Sequence, residues 1–158
     1  MVTQMSLCVR DVMARRVLLV EATSSAKNSA RMMNKFSVSS LIVSSEGDIV
    51  GIVTERDILT RIVASGQNPE EVTVREIMSE PIIVVNPDTP LEQAVQIMLM
   101  ERIKKLPVMD KDGEKVKLVG ILSMTDVARI QPQLIEKIKN LTQKDDPEMM
   151  AELGFYVR

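Results

Sequence analysis

A mixed α/β (α+β) fold built on a duplicated unit is what this chain of 158 residues predicts. Val9-Arg10-Asp11-Val12-Met13 returns as Val74-Arg75-Glu76-Ile77-Met78, and Gly51-Ile52-Val53-Thr54-Glu55-Arg56-Asp57 returns as Gly120-Ile121-Leu122-Ser123-Met124-Thr125-Asp126. Apolar runs of strand length alternate with stretches of helical spacing, and glycine or proline turns separate them. Self-similarity of this kind marks stacked units that bury one another's apolar faces, so function is expected where the copies meet. Val9 and Met33 map onto Val74 and Met98 at an offset of 65, but Gly51 maps onto Gly120 at 69. The extra residues are expected to lengthen the turn at Asp110 to Lys115 relative to Ser44 to Asp48, because turns tolerate length changes best.

Each copy reads as strand, helix, strand, strand, helix. After a short helix at Val9 to Met13, Val17 to Val20 has the apolar run of a buried strand, and Thr23 to Ser25 offers capping side chains for a helix over Ala26 to Lys35. Leu41 to Val43 and Ile49 to Val53, joined at Glu46-Gly47, form a hairpin, and a helix runs from Glu55 to Ala64. In the second copy Ile82 to Val85 is the strand, Thr89 to Met100 the helix, Lys105 to Met109 with Val116 to Leu122 the hairpin, and Met124 to Ile130 the closing helix. The repeats are therefore placed at 9–64 and 72–131, with a linker at 65–71 holding Gly66 and Pro69. A tail at 132–158 carries Leu134, Ile135, Ile138 and Leu141 as an apolar stripe behind Pro132. A break is expected at Asp145-Asp146-Pro147, and residues 149–158 are expected to be poorly ordered.

Composition narrows the function classes. Twenty Lys and Arg against 22 Asp and Glu give a net charge of -2, which favours neither a nucleic acid nor another polyion as partner. The chain has no histidine, so the commonest general base, a common metal ligand and every imidazole triad are absent; an enzyme is not expected. Cys8 is the only cysteine, consistent with a reducing cytoplasm. No apolar run approaches the roughly 20 residues of a membrane span, and the first ten residues lack a secretory core. Met32, Met33, Met98 and Met100 lie on helical stretches, where thioethers fill irregular gaps.

The chemistry concentrates at Gly51 to Asp57. A strand runs straight into a helix there, placing Thr54 at the N-cap and Asp57 three residues on. Free N–H groups and the helix dipole favour an anion at such a place, while a carboxylate suits the two hydroxyls of a sugar. Thr54, Arg56 and Asp57 together fit a ribose on the aspartate with phosphate toward Thr54 and Arg56. Ser123 and Asp126 repeat the hydroxyl and carboxylate, with Thr125 in place of Arg56. A hydroxyl residue followed by an acid at this spacing is equally a capping box, which stabilises a helix start without any ligand.

The two entry segments and the two signatures of glycine, two apolar residues, hydroxyl, two variable residues and aspartate resemble the CBS domain, and the tandem arrangement resembles a CBS pair, or Bateman module. The resemblance covers about Val9 to Ile130. It implies small sheets packed about a pseudo-twofold axis and clefts between the repeats that bind AMP, ADP, ATP or S-adenosylmethionine as a regulatory ligand, with no cofactor required. Carried over by position, Asp57 and Asp126 would hold ribose hydroxyls, and Thr54 and Ser123 would meet ribose or phosphate. Lys104 and Lys105 match basic phosphate contacts, where the first copy has Ser39 and Ser40. The backbone at Ala14 to Leu18 and Glu80 to Ile83, with Val17 and Ile82, would face the base. The resemblance also implies a homodimer, to which Leu91, Val95, Met98 and Leu99 would contribute an apolar arc. A regulatory sensor made almost entirely of one CBS pair, acting on a separate protein, is the reading this supports. The alternative is a non-binding interaction module with a vestigial site.

Overall fold

The computed structural model describes residues 6–80 and 82–142. Helix α1 (Val9–Val12) precedes β1 (Leu19–Glu21), α2 (Ala26–Phe36), β2 (Ser40–Ser45), β3 (Asp48–Thr54) and α3 (Glu55–Ile58), which continues into a π-helical turn at Leu59–Val63. Then come α4 (Val74–Ile77), α5 (Leu91–Met100), β4 (Lys105–Asp112), β5 (Lys115–Ser123), α6 (Met124–Ile130) and α7 (Pro132–Thr142). The architecture is mixed α/β, and contacts divide it into two units, one of residues 16–83 and one joining 6–15 to 84–142. The units exchange entry segments: α1 folds with the elements of the second repeat, and α4 with those of the first.

In the 16–83 unit, β1 lies parallel to β2 and β2 antiparallel to β3, with Leu19 opposite Ile42 and Ser40 opposite Thr54. The ladder starts at Leu19, two residues later than the apolar run suggests, although the Leu18 carbonyl already accepts from the Ile42 N–H at 3.0 Å. Val20, Leu41, Val43 and Val53 from the sheet, Ala26 and Met33 from α2, and Val74, Ile77 and Met78 from the entry segment share one core. The Ser25 side chain caps α2 by accepting from the Asn28 N–H, and Ser37 ends it in the left-handed region. Glu46 and Gly47 both have positive φ, as a two-residue type I′ hairpin requires. The helix expected over Glu55 to Ala64 is α-helical for only its first turn. The following π turn widens the spiral by a residue, a feature found often at functional sites.

In the other unit β4 and β5 form an antiparallel pair. The strand expected at Ile82 to Val85 does not form; only Val85 makes an isolated parallel bridge, to Val108. Its N–H donates to the Pro107 carbonyl and its carbonyl accepts from Met109. The preceding donor along β4 would be the amide of residue 107, which proline lacks, so the ladder cannot propagate. The added residues also fall differently from expectation. Both hairpins keep two-residue loops, at 46–47 and 113–114, while β4 and β5 have 8 and 9 residues against 6 and 7 in β2 and β3. Each strand is two residues longer and the turn is unchanged in length. Bulges follow Val43 and Val108, at matching positions of the two hairpins.

Helix α5 begins at Leu91, behind Pro90 at its N-cap. Leu91, Val95 and Met98 are fully buried and Leu99 is half-buried, so three of the four residues of the expected arc are already covered within the chain. Helix α7 packs on α5 and α6 and buries Ile138 completely, whereas Leu141 is 58% exposed. Met33 and Met98 fill core positions, but Met100 is exposed. The expected break at Asp145 to Pro147 and the segment 149–158 lie outside the described residues. Among the described residues no helix is long and apolar enough to cross a membrane.

Candidate functional site

Each signature glycine is required by an entry segment. A Cβ on Gly51 would stand 2.8 Å from Met78 Sδ and 2.9 Å from the Ser79 carbonyl oxygen. On Gly120 it would stand 2.7 Å from Met13 Sδ and 2.8 Å from the Ala14 carbonyl oxygen. Beside each glycine the chain makes a matching isolated antiparallel bridge, Ile52 with Ser79 and Ile121 with Ala14. The glycine of one motif and the methionine of the other are thus two halves of a single contact. The close approach anchors each entry segment on the strand that delivers the signature.

That strand ends at Thr54, where the first signature begins. The Thr54 N–H and hydroxyl donate to Asp57 Oδ2 at 2.8 and 3.0 Å, and the Asp57 N–H donates back to Thr54 Oγ1 at 3.3 Å. This is a complete capping box. It holds Asp57 at 8% exposure and commits one carboxylate oxygen. The other, Oδ1, faces Arg61 Nε at 3.9 Å, beyond hydrogen-bond range. Arg56 is exposed.

Strand register gathers other expected residues at the same end of the sheet. Because β1 runs parallel to β2 with Leu19 opposite Ile42, Val17 enters level with Ser40, the partner of Thr54. The Ser39 carbonyl accepts from the Glu55 N–H at 3.0 Å. Val17, Ser39, Ser40, Thr54 and Asp57 therefore share this end. Beside it a surface cleft of about 510 Å³ is lined by Met33, Asn34, Val38, Ser39, Glu55 and Ile58. Ile82 is half-buried and belongs to the same unit.

The second signature is built alike and finished differently. Ser123 caps α6 by accepting from the Asp126 N–H at 3.0 Å, and Asp126 is only partly buried. Lys105 stands opposite Ser123 in the β4–β5 register, and the Lys104 carbonyl accepts from the Met124 N–H at 2.8 Å. Lys104, Lys105, Ser123 and Asp126 are thus brought together, with two cations where the first signature has Ser39 and Ser40.

The sequence reading missed Arg61. Its Nη1 donates to the carbonyls of Ile77 and Met78 at 2.8 and 2.9 Å, while its Nε faces Asp57. The available signal was its position four residues after Asp57, one helical turn away on the same face. Its repeat counterpart is Ile130, which is exposed and uncharged.

The CBS domain family model matches residues 9–64 and 74–132. An uncharacterised protein of Methanopyrus kandleri, MK0525, is 35% identical over 91% of this chain and 72% of its own length. The CBS domain-containing protein YhcV of Bacillus subtilis is 32% identical over 76% of this chain and 82% of its own. Among solved structures, the CBS domain pair of protein MJ0100, in complex with 5'-methylthioadenosine and S-adenosyl-L-methionine, superposes with a TM-score of 0.69. It is 26% identical and covers 81% of this chain and 98% of that one. Two matched segments in tandem, each holding an entry segment and a signature, place this chain in the CBS domain family as a CBS-pair protein.

Proposed function

We propose that this CBS pair is a regulatory sensor that binds an adenosyl ligand, such as an adenine nucleotide or S-adenosylmethionine, reversibly and without chemical turnover. The observation that carries this reading is the first signature. Asp57 is buried with one carboxylate oxygen fixed by the cap and the other directed away from it, which suits a vicinal diol. The MJ0100 pair, bound to two adenosyl compounds, supports the ligand class. Val17 would meet the base beside Thr54 and Asp57, Arg56 would meet phosphate, and Lys104, Lys105, Ser123 and Asp126 would serve a second, chemically unequal site. Ile82 would contribute apolar contact to a base. Occupancy signals only if the ligand prefers one arrangement of the protein, since equal affinity for two states shifts neither.

Thermal unfolding against AMP, ADP, ATP, S-adenosylmethionine and GTP tests this reading. A ligand that binds only the folded state at one hundred times its dissociation constant adds about 2.7 kcal/mol. The shift should shrink in Asp57→Ala and be absent with GTP; no shift with any adenosyl compound would contradict the proposal. One observation favours the non-binding alternative: the Thr54 and Asp57 capping box is satisfied without a ligand. The same experiment decides between them. A homodimer in the cytoplasm, acting on a separate regulated protein, completes the proposal. Leu59 and Val63, 59% and 66% exposed and one turn apart, support a subunit contact on the 16–83 unit. A sedimentation mass of one chain at micromolar concentration would remove that part.

A further inference from the structure

Arg61 occupies a position that neither the signature nor the repeat accounts for. It reaches from the signature helix to the end of α4, where one nitrogen serves the carbonyls of both Ile77 and Met78. These are among the C-terminal carbonyls that a short helix leaves without internal partners. The side chain is 47% exposed, so packing alone does not hold it there. What faces it is Asp57 Oδ1, the carboxylate oxygen not used by the cap. Met78 in turn packs beneath Gly51, and the Ser79 N–H donates to the Ile52 carbonyl at 2.8 Å. A continuous set of contacts therefore joins the signature carboxylate, the guanidinium and the entry segment. The matching position of the second repeat is Ile130.

We propose that Arg61 is a positioning residue that couples occupancy of Asp57 to the hold on the entry segment Val74 to Ser79, so that the first signature transmits a signal and the second does not. This rests on the diol-binding reading of Asp57. A hydroxyl engaging Oδ1 withdraws the carboxylate from the guanidinium, the exposed side chain loses its orienting partner, and its grip on the two carbonyls weakens. Coupling of this kind is reciprocal: if the ligand loosens the clamp, removing the clamp strengthens the ligand's binding.

Hydrogen exchange and equilibrium binding on the full chain test this, using S-adenosylmethionine and ATP as probes. Without ligand, Arg61→Gln should speed exchange of the Met78 and Ser79 amides by about tenfold or more, the scale of a lost charge-assisted hydrogen bond. In the wild type the bound probe should speed the same amides. In Arg61→Gln they should no longer respond, while affinity rises about fivefold. A residue that merely stabilises the fold would lower affinity or leave it unchanged, which overturns the proposal. Arg61→Lys keeps the charge but cannot span two carbonyls and a carboxylate as a planar fork does. Wild-type coupling in that variant also overturns the clamp. Failure of both probes to bind wild type removes the diol-binding reading and this inference together. Binding without a response at Met78 and Ser79 removes this inference alone.

Discussion

Gly51→Ala is the substitution that bears most directly on how the entry segment is held. The new methyl group would lie 2.8 Å from Met78 Sδ, 3.2 Å from Met78 Cγ and 2.9 Å from the Ser79 carbonyl oxygen. All three are inside ordinary van der Waals contact. The thioether can rotate away, but the carbonyl belongs to the Ile52–Ser79 bridge, whose two hydrogen bonds are 2.8 and 3.3 Å. Relief therefore requires the bridge to open or the entry segment to shift. Overpacking at a rigid site costs about 1–3 kcal/mol, and the carbonyl contact places this case toward the upper end. Urea unfolding should show a lower midpoint with an unchanged slope. Met78→Ala removes the sulfur contact and leaves the carbonyl. The double variant should thus recover part of the loss, with destabilisations that do not add, as expected of touching residues. Gly120→Ala should behave in the same way against Met13 and Ala14. A change within about 0.5 kcal/mol for Gly51→Ala, the range of an ordinary surface substitution, would refute the contact.

Other expectations follow from single elements. Thr54→Ala removes the hydroxyl that caps α3 and should cost about 1 kcal/mol in thermal or urea unfolding, while Thr54→Ser should be close to neutral. Ile138→Ala empties a fully buried site under α7 and should cost about 2–5 kcal/mol, as read by urea unfolding; a smaller loss would mean that α7 packs only loosely. The Glu76 carboxylate accepts from the Thr73 N–H and hydroxyl, which holds its carboxyl below the usual value of 4.5. A lowered folded-state value contributes stability above the unfolded value that is lost as pH falls through the folded one. Glu76→Gln should therefore lower the urea midpoint at pH 7 and flatten its decline below about pH 4.5. An acid limb identical to wild type would contradict that role.

The repeat, the order of elements and both signature caps were legible because each is local. Val53-Thr54-Glu55-Arg56-Asp57 carries its strand end, cap and first turn within five residues. What escaped depends on contacts far apart in sequence. The apolar run at Ile82 to Val85 has strand composition, yet Pro107, more than 20 residues on, withholds the donor a longer ladder would need. The exchange of entry segments is likewise invisible to periodicity. Gly51 and Met78 are conspicuous as motif members, but only the backbone approach shows that they answer each other. The added residues were placed in a turn because turns usually accept them, whereas here both strands grew and the loop kept its length. The caps made by Thr54 with Asp57 and by Ser123 with Asp126 could be read from spacing. Arg61 could not, since its role is defined by the carbonyls of Ile77 and Met78.

Calorimetric titration of the wild-type chain with S-adenosylmethionine and with ATP, repeated on Asp57→Ala and Asp126→Ala, addresses the central proposal most directly. Saturable binding of at least one adenosyl compound to wild type, weakened or lost in Asp57→Ala, is the result the account predicts. No binding of either, or binding unaffected by both substitutions, would contradict it and leave Thr54 and Asp57 as a helix cap alone.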